Sequence, residues 1–143
     1  MERDSLILAA MACAKGGPFS PVQVQKLFFL IDNHLGQRVG GPFFKFEPYN
    51  YGPFDKEVYH ALNSLAQEGL VQISSESASS LTTYAMTLKG QEKGEEEFGK
   101  LPRWLQSYLQ ELVEFIRRLS FAELVSAIYK AYPHMKANSV FQE

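Results

Sequence analysis

The sequence predicts an α+β, mainly helical fold: a winged-helix-like domain of three helices plus a small β-hairpin, followed by a C-terminal helical extension. Three observations predict it. Two stripes of apolar residues at helical spacing occupy residues 4–35. An aromatic turn, Tyr49-Asn50-Tyr51-Gly52-Pro53, then leads into a third helix with one apolar face. Two alternating segments joined by a serine-rich stretch come directly after that helix, where a wing would stand.

Over residues 4–15, Leu6, Ile7, Ala10, Met11 and Ala14 recur every three or four positions, and Gly16-Gly17-Pro18 ends the pattern. Ser20-Pro21-Val22-Gln23 is a capping box with proline at the first helical position, so a second helix starts there. Its stripe is Val24, Leu27, Phe28, Ile31 and Leu35, widened by Phe29 and Leu30, and Gly36 closes it in the left-handed conformation. A helix apolar on more than one face is expected to be central. After Gly40-Gly41-Pro42 the period changes: Phe44 and Phe46 point one way, Lys45 and Glu47 the other, which predicts a short edge strand. The reversal at 49–53 follows because Gly52 tolerates backbone angles closed to other residues, while Pro53 presets φ for a helix start.

In the helix over 55–68, Val58, Ala61, Leu62 and Leu65 form the buried stripe, and Lys56, Tyr59, His60, Asn63 and Gln67 the outward face. Gly69 closes it. Residues 70–73 and 81–87 alternate as strands, with Tyr84 and Met86 on one face and the serine-rich residues 74–80 as the loop between them. The helix over 88–98 is acidic through Glu92, Glu95, Glu96 and Glu97, and Gly90 and Gly94 are expected to weaken it. Over 102–119, Leu105, Leu109, Leu112, Ile116 and Leu119 make a strong stripe flanked by Trp104, Tyr108 and Phe115. Ser120-Phe121-Ala122-Glu123 is a second capping box, with Leu119 and Leu124 as its hydrophobic staple. The last helix runs through Leu124, Val125, Ile128 and Tyr132 and is halted by Pro133, while residues 135–143 carry no pattern. With no repeat and no linker, the chain reads as one domain over 1–143, its winged-helix-like part at 1–87 and its extension, a candidate dimerisation element, at 88–143.

Composition limits the function. A chain of 143 residues, 45% of them hydrophobic, can bury a core without a staple. Its net charge of −2 lacks the lysine and arginine excess of a domain that binds nucleic acid mainly through phosphates. Cys13 is the only cysteine, and Met11, Ala12 and Ala14 beside it make it read as a buried thiol of a reducing compartment. No stretch has the apolar length of a membrane span, and Glu2 and Asp4 put acid where a signal peptide needs positive charge, so a cytoplasmic protein with no membrane partner is expected.

Chemistry for catalysis is not evident. His34, His60 and His134 lie in different elements, and no pair of ligating residues stands at a metal-binding spacing, so neither a metal nor a cofactor is expected. Cys13 in its apolar helix and serines in a loop offer no nucleophile with a base, and the glycine pairs at Gly16 and Gly40 run into prolines instead of a phosphate-cradling helix. The expectation is a protein that is not an enzyme; a cryptic active site would need Tyr51, Glu57 and His60 to converge.

Surfaces remain. Lys56, Tyr59, His60 and Asn63 are groups that can enter a major groove, where asparagine reads adenine and lysine meets guanine or phosphate; the plainer alternative is a solvated helix face. At the presumed wing tip the only charge is Glu76, although wings that straddle a phosphate backbone bring lysine or arginine there. Tyr49, Tyr51, Gly52 and Pro53, with Phe54, form an aromatic turn of the kind favoured at interfaces and equally able to fill a small core. Trp104, Leu105, Tyr108 and Leu112 fit either a homodimer interface or packing back on the same chain.

Val24-Gln25-Lys26-Leu27-Phe28-Phe29, Tyr51-Gly52-Pro53 and Val58-Tyr59 are similar to motifs of the Panacea antitoxin-like domain family and its YwgA-like relatives, a resemblance that covers residues 5–73. It implies a non-enzymatic bacterial or phage domain that binds partner proteins, in some members neutralising a toxin encoded beside it. The run Tyr84-Ala85-Met86-Thr87-Leu88-Lys89-Gly90 is similar to the wing ending of winged-helix regulators, with Met86 in place of the usual leucine, which implies a DNA-binding ancestry. The leading expectation is a regulatory, antitoxin-like protein-binding domain acting through the helix 55–68 and the turn 49–54. The alternative is a winged-helix transcriptional regulator that puts the same helix and the wing at 74–81 on DNA, as a dimer through residues 104–119.

Overall fold

In the computed structural model, which describes residues 1–76 and 81–141, the chain runs through α1 (Arg3–Ala12), α2 (Pro21–His34), a short 3-10 turn (Gly36–Val39), β1 (Glu47–Tyr49), β2 (Gly52–Phe54) and α3 (Lys56–Gln67). It continues through β3 (Val71–Glu76), β4 (Leu81–Met86), α4 (Leu88–Gly99), α5 (Arg103–Arg118), α6 (Phe121–Ala131) and a second 3-10 turn (Pro133–Lys136). The architecture is α+β and mainly helical, with two separate two-stranded antiparallel sheets among the described residues.

α2 is the centre. Its capping box is formed: Gln23 N donates to Ser20 Oγ at 3.2 Å, and Ser20 N donates to Gln23 Oε1 at 2.8 Å. Residues 24–31 are then buried without interruption, Gln25 and Lys26 included, with α3, α5, α6 and β2 packed around them. One apolar cluster reaches from Leu6 through Leu65, Leu109 and Ile128 to Met135, so the parts at 1–87 and 88–143 share a core.

α4 lies along α1 at Gly94 and against the turn at Leu70 at Gly90. A Cβ on Gly90 would run into the Leu70 carbonyl, and one on Gly94 would meet Leu8 O and the Ala12 side chain. Beside the weak helix propensity expected of these glycines, their missing side chains have a packing role, letting two backbones approach at each position. Thr87 fixes the start of α4 by accepting from Gly90 N at 2.9 Å and donating to Gly69 O at 2.6 Å.

Of the expected edge strand over 44–47, only Glu47 lies in a strand. Phe44 and Phe46 do turn their rings onto Phe28 and Phe29 of α2, but the backbone N–H groups of Phe43 and Phe44 are both taken by the Asp32 carboxylate at 3.0 Å. Strand pairing begins later, at Glu47, and joins Glu47 to Phe54, Pro48 to Pro53 and Tyr49 to Gly52. Pro53 consequently belongs to β2 and does not start α3; Asp55 does, its carboxylate accepting from Glu57 N at 2.9 Å.

β3 and β4 pair from Val71–Met86 to Glu76–Leu81, so strand continues into residues 74–76 of the expected loop. Residues 77–80, the middle of the expected wing, lie outside the described residues. Tyr84 of β4 also exchanges two backbone bonds with Phe19, at 2.8 and 2.9 Å, tying the hairpin to the segment before α2. The Ser120 capping box of α6 is formed, and beyond the second 3-10 turn the chain returns to the β1–β2 turn, where Val140 N donates to Asn50 O at 2.9 Å.

Candidate functional site

The β1–β2 hairpin opposes two prolines, Pro48 and Pro53. Neither has an N–H, so the pair fits only where the ladder needs no donor, and its carbonyls must find partners outside the hairpin. Pro48 O accepts from Asn138 Nδ2 at 3.2 Å, and Pro53 O from Lys26 Nζ at 3.4 Å. The residue before Lys26 holds the next part of the chain: Gln25 Nε2 donates to Asp55 O at 3.0 Å and Gln25 Oε1 accepts from Asp55 N at 2.9 Å. Two consecutive polar residues of a buried helix thus position residues 53–55.

Lys26 is only 3% exposed, and its hydrogen bond to Pro53 is long. Burial pushes its ammonium pKa down from 10.5 to about 8, and no carboxylate pairs with it among the described residues. Gly52 passes over the amine with φ +106°; a Cβ there would be strained and would sit 3.4 Å from Lys26 Nζ and 3.3 Å from the Tyr129 ring. Above Lys26 opens a mainly apolar cavity of about 280 Å³, lined by Val22 and Gln25 of α2, hairpin residues 49–54 and Tyr59. A larger depression of about 520 Å³ between Glu68, Lys89 and Lys93 is shallow and mixed in charge.

Aromatic rings run from one hairpin to the other across α3. Tyr49 stacks on Phe54 with centroids 4.9 Å apart, Phe54 meets Tyr59 at 5.7 Å, and Tyr59 lies parallel to Tyr84 at 6.0 Å. Burial raises the pKa of the Tyr59 and Tyr84 hydroxyls, and a hydrogen bond with Gln25 opposes this at Tyr59. The outer end of the row is open: Tyr49 is 52% exposed, and the neighbouring Tyr51, edge-on to Phe121, is 41% exposed.

Placement of the expected site residues is mixed. Lys56, His60 and Asn63 do face outward on α3, with His60 Nδ1 3.0 Å from Glu57 Oε1. Tyr59 does not join them, because Phe54, Tyr84 and Gln25 hold it half-buried. Gly52 and Pro53 are buried and shape the turn without offering contact surface. Tyr51 lines the cavity, whereas Glu57 and His60 do not, so the three fail to converge.

The candidate dimer stripe is also divided. Leu105 and Leu112 are buried in the chain's own core, since the apolar face of α5 turns onto α2 and α1. Tyr108 is bound to His34 Nδ1 at 2.6 Å, with Tyr132 OH on Nε2 of the same ring at 2.9 Å, and Arg38 stacks 4.4 Å over Trp104. Cys13 is half-buried, with its thiol pushed up to about 11 by burial. Among the described residues there is no group of three or more His, Cys, Asp or Glu placed to hold a metal ion, and no helix long and apolar enough to cross a membrane.

Sequence reasoning missed Lys26, Gln25 and the tail contacts of Asn138, Ser139 and Val140. The signal for the first two was a lysine and a glutamine inside a continuous apolar run directly after a capping box. No protein-family model, curated protein or solved structure matches the chain.

Proposed function

We propose that the protein is a winged-helix-like module that works by binding another protein, antitoxin-like or regulatory, and not by catalysis. Its contact surface is the hairpin turn 49–54 with the adjoining outward face of α3, and its place of action is the cytoplasm, in keeping with a lone cysteine. The observation that carries this reading is the aromatic row ending in the exposed Tyr49, on a turn that Gln25, Lys26 and the tail hold in place. Exposed tyrosines on a fixed backbone supply large contact area at little entropic cost, which is what a protein interface needs. The Panacea-like resemblance supports it as well, because two of its stretches, Gln25-Lys26 and Tyr51-Gly52-Pro53, meet at this site.

The test uses the product of the gene encoded beside this one as partner. Co-expression and titration calorimetry would compare the wild type with Tyr49→Ala, Tyr51→Ala and the control Trp104→Ala. The hairpin variants are expected to bind about 10- to 100-fold more weakly, with the control unchanged. A partner that binds all four alike, or that depends on Trp104, defeats this reading.

A second reading, a winged-helix regulator that binds DNA as a dimer, is favoured by one observation. The β3–β4 hairpin follows α3 and is anchored through Tyr84 to Phe19, as a wing would be, while Lys56, His60 and Asn63 face outward. A mobility shift that weakens steeply between two salt concentrations and disappears in Lys56→Ala or Asn63→Ala would favour it.

A further inference from the structure

We infer that the cavity over Lys26 is a binding site for a compact carboxylate with an apolar or aromatic body. The inference goes beyond the protein-binding reading and stands without it, because its chemistry lies in the pocket floor and not in the exposed rings.

A lysine amine buried to this degree is costly unless something pairs with it. Pro53 O takes one N–H of the ammonium, at the long distance of 3.4 Å, and an ammonium has three to give. Among the described residues no acidic side chain fills that place, and Lys26 lines a cavity whose other walls are chiefly aliphatic and aromatic. Its lowered pKa is the expected mark of a cation whose solvation has been removed before a counter-charge is in place. An incoming carboxylate would meet an amine already stripped of water and form a charge-assisted hydrogen bond in low dielectric.

Charge and size narrow the class. One buried amine balances one negative charge, so a monoanion fits where a phosphate dianion would leave charge uncompensated. About 280 Å³ holds a small ring or a short aliphatic chain against Val22, Tyr51 and Tyr59, with the carboxylate at Lys26. A need to satisfy Pro53 O does not by itself explain the choice of lysine, since a glutamine could also donate there. Free organic acids and the carboxylate end of a peptide present the same chemistry.

The test is a titration followed by nuclear magnetic resonance. The probes are benzoate, hexanoate and a dipeptide ending in phenylalanine, each beside its neutral amide. The acids are expected to shift the amide signals of Asn50, Tyr51 and Gly52 in a saturable way and to raise the titration midpoint of the Lys26 Cε signal, while the amides do neither. Lys26→Met and Lys26→Gln, the second of which keeps a donor for Pro53 O, are expected to bind the acids at least about tenfold more weakly. Thermal melts would verify that both variants are folded. Saturation by the free acids alone marks a metabolite site, and saturation by the dipeptide acid marks a chain-end site; either supports the inference. Equal binding of acids and amides, undiminished binding by a folded Lys26 variant, or no binding by any probe overturns it.

Discussion

The side-chain amide of Gln25 closes a two-bond pair with the backbone of Asp55, donating to its carbonyl at 3.0 Å and accepting from its N–H at 2.9 Å. A glutamine here does the work of a strand residue from within a helix. Asp55 in turn caps α3 and accepts from Lys45 N at 2.8 Å, so one side chain fixes both the start of that helix and the segment that leads into the hairpin.

Gln25→Ala removes donor and acceptor together and is expected to cost about 1–3 kcal/mol in urea denaturation. Gln25→Glu keeps the acceptor but, when ionised, has nothing to donate to Asp55 O. It should be at least as unstable at pH 7 and recover in part near pH 4, where a protonated carboxyl can donate again. An alanine variant as stable as the wild type would show that the pair does not hold the hairpin.

Lys26 makes stability depend on alkaline pH. Its ordinary pKa of 10.5 in the unfolded chain falls to about 8 in the fold, so between those values the unfolded state binds more protons. Stability should therefore rise as pH goes from 8 towards 10.5, by an amount of the order of 3 kcal/mol, whereas below pH 8 both states are charged and the penalty is constant. Tyrosines titrate in the same range, so the measurement is the difference between wild type and Lys26→Met in denaturant at pH 7, 8.5 and 9.5. A difference that stays flat across that series contradicts a desolvated amine.

What could be read from the sequence was what neighbours in the chain decide. Both capping boxes and the stripes of α3 and α5 are patterns of residues three or four apart, and they form as expected except at Leu119, which is half-buried just past the end of α5. Residues 44–46 stay out of a strand because the N–H groups of Phe44 and Lys45 are taken by the carboxylates of Asp32 and Asp55, ten or more residues away, and no local pattern announces such partners. Gln25 and Lys26 hid for the same reason: their partners are Asp55 and Pro53. The aromatic turn of the candidate site was legible, but its floor was not. The run Thr87-Leu88-Lys89-Gly90 stands out in the sequence by resemblance alone, whereas what it does in this chain is three-dimensional: Thr87 caps α4 and Gly90 lets that helix touch the Leu70 carbonyl.

That contact separates two glycines of one helix. Gly90→Ala would drive a methyl group into the Leu70 carbonyl, which Thr87 N already holds at 3.1 Å, so neither side can yield. A loss of about 3 kcal/mol or more is expected. Gly99, at the far end of α4, has nothing within 4 Å of a built Cβ, and Gly99→Ala should stabilise by about 0.5–1 kcal/mol through better helix propensity. Thermal melts of the two variants are the check; equal tolerance would mean that α4 does not lie this close to the turn at Leu70.

The tail should act as the hairpin's outer clamp. β1 and β2 have three residues each, too few for a hairpin to persist unaided, and Gln25 and Lys26 grip it from one side only. From the other side, Asn138 Nδ2 reaches Pro48 O at 3.2 Å, and Ser139 Oγ and Val140 N reach Asn50 O at 3.3 and 2.9 Å. Tyr129 steadies that tail by donating to Ser139 Oγ at 2.6 Å. Removing residues 138–143 is expected to cost about 1–2 kcal/mol overall. Amide exchange should localise the change, with Tyr49, Asn50 and Tyr51 exchanging faster and the core of α3 unaffected, because α3 takes its cap from Asp55 and its burial from Val58, Ala61, Leu62 and Leu65. Unchanged exchange in the turn would mean that the grip from α2 suffices, and the tyrosines would then keep their fixed positions without the tail.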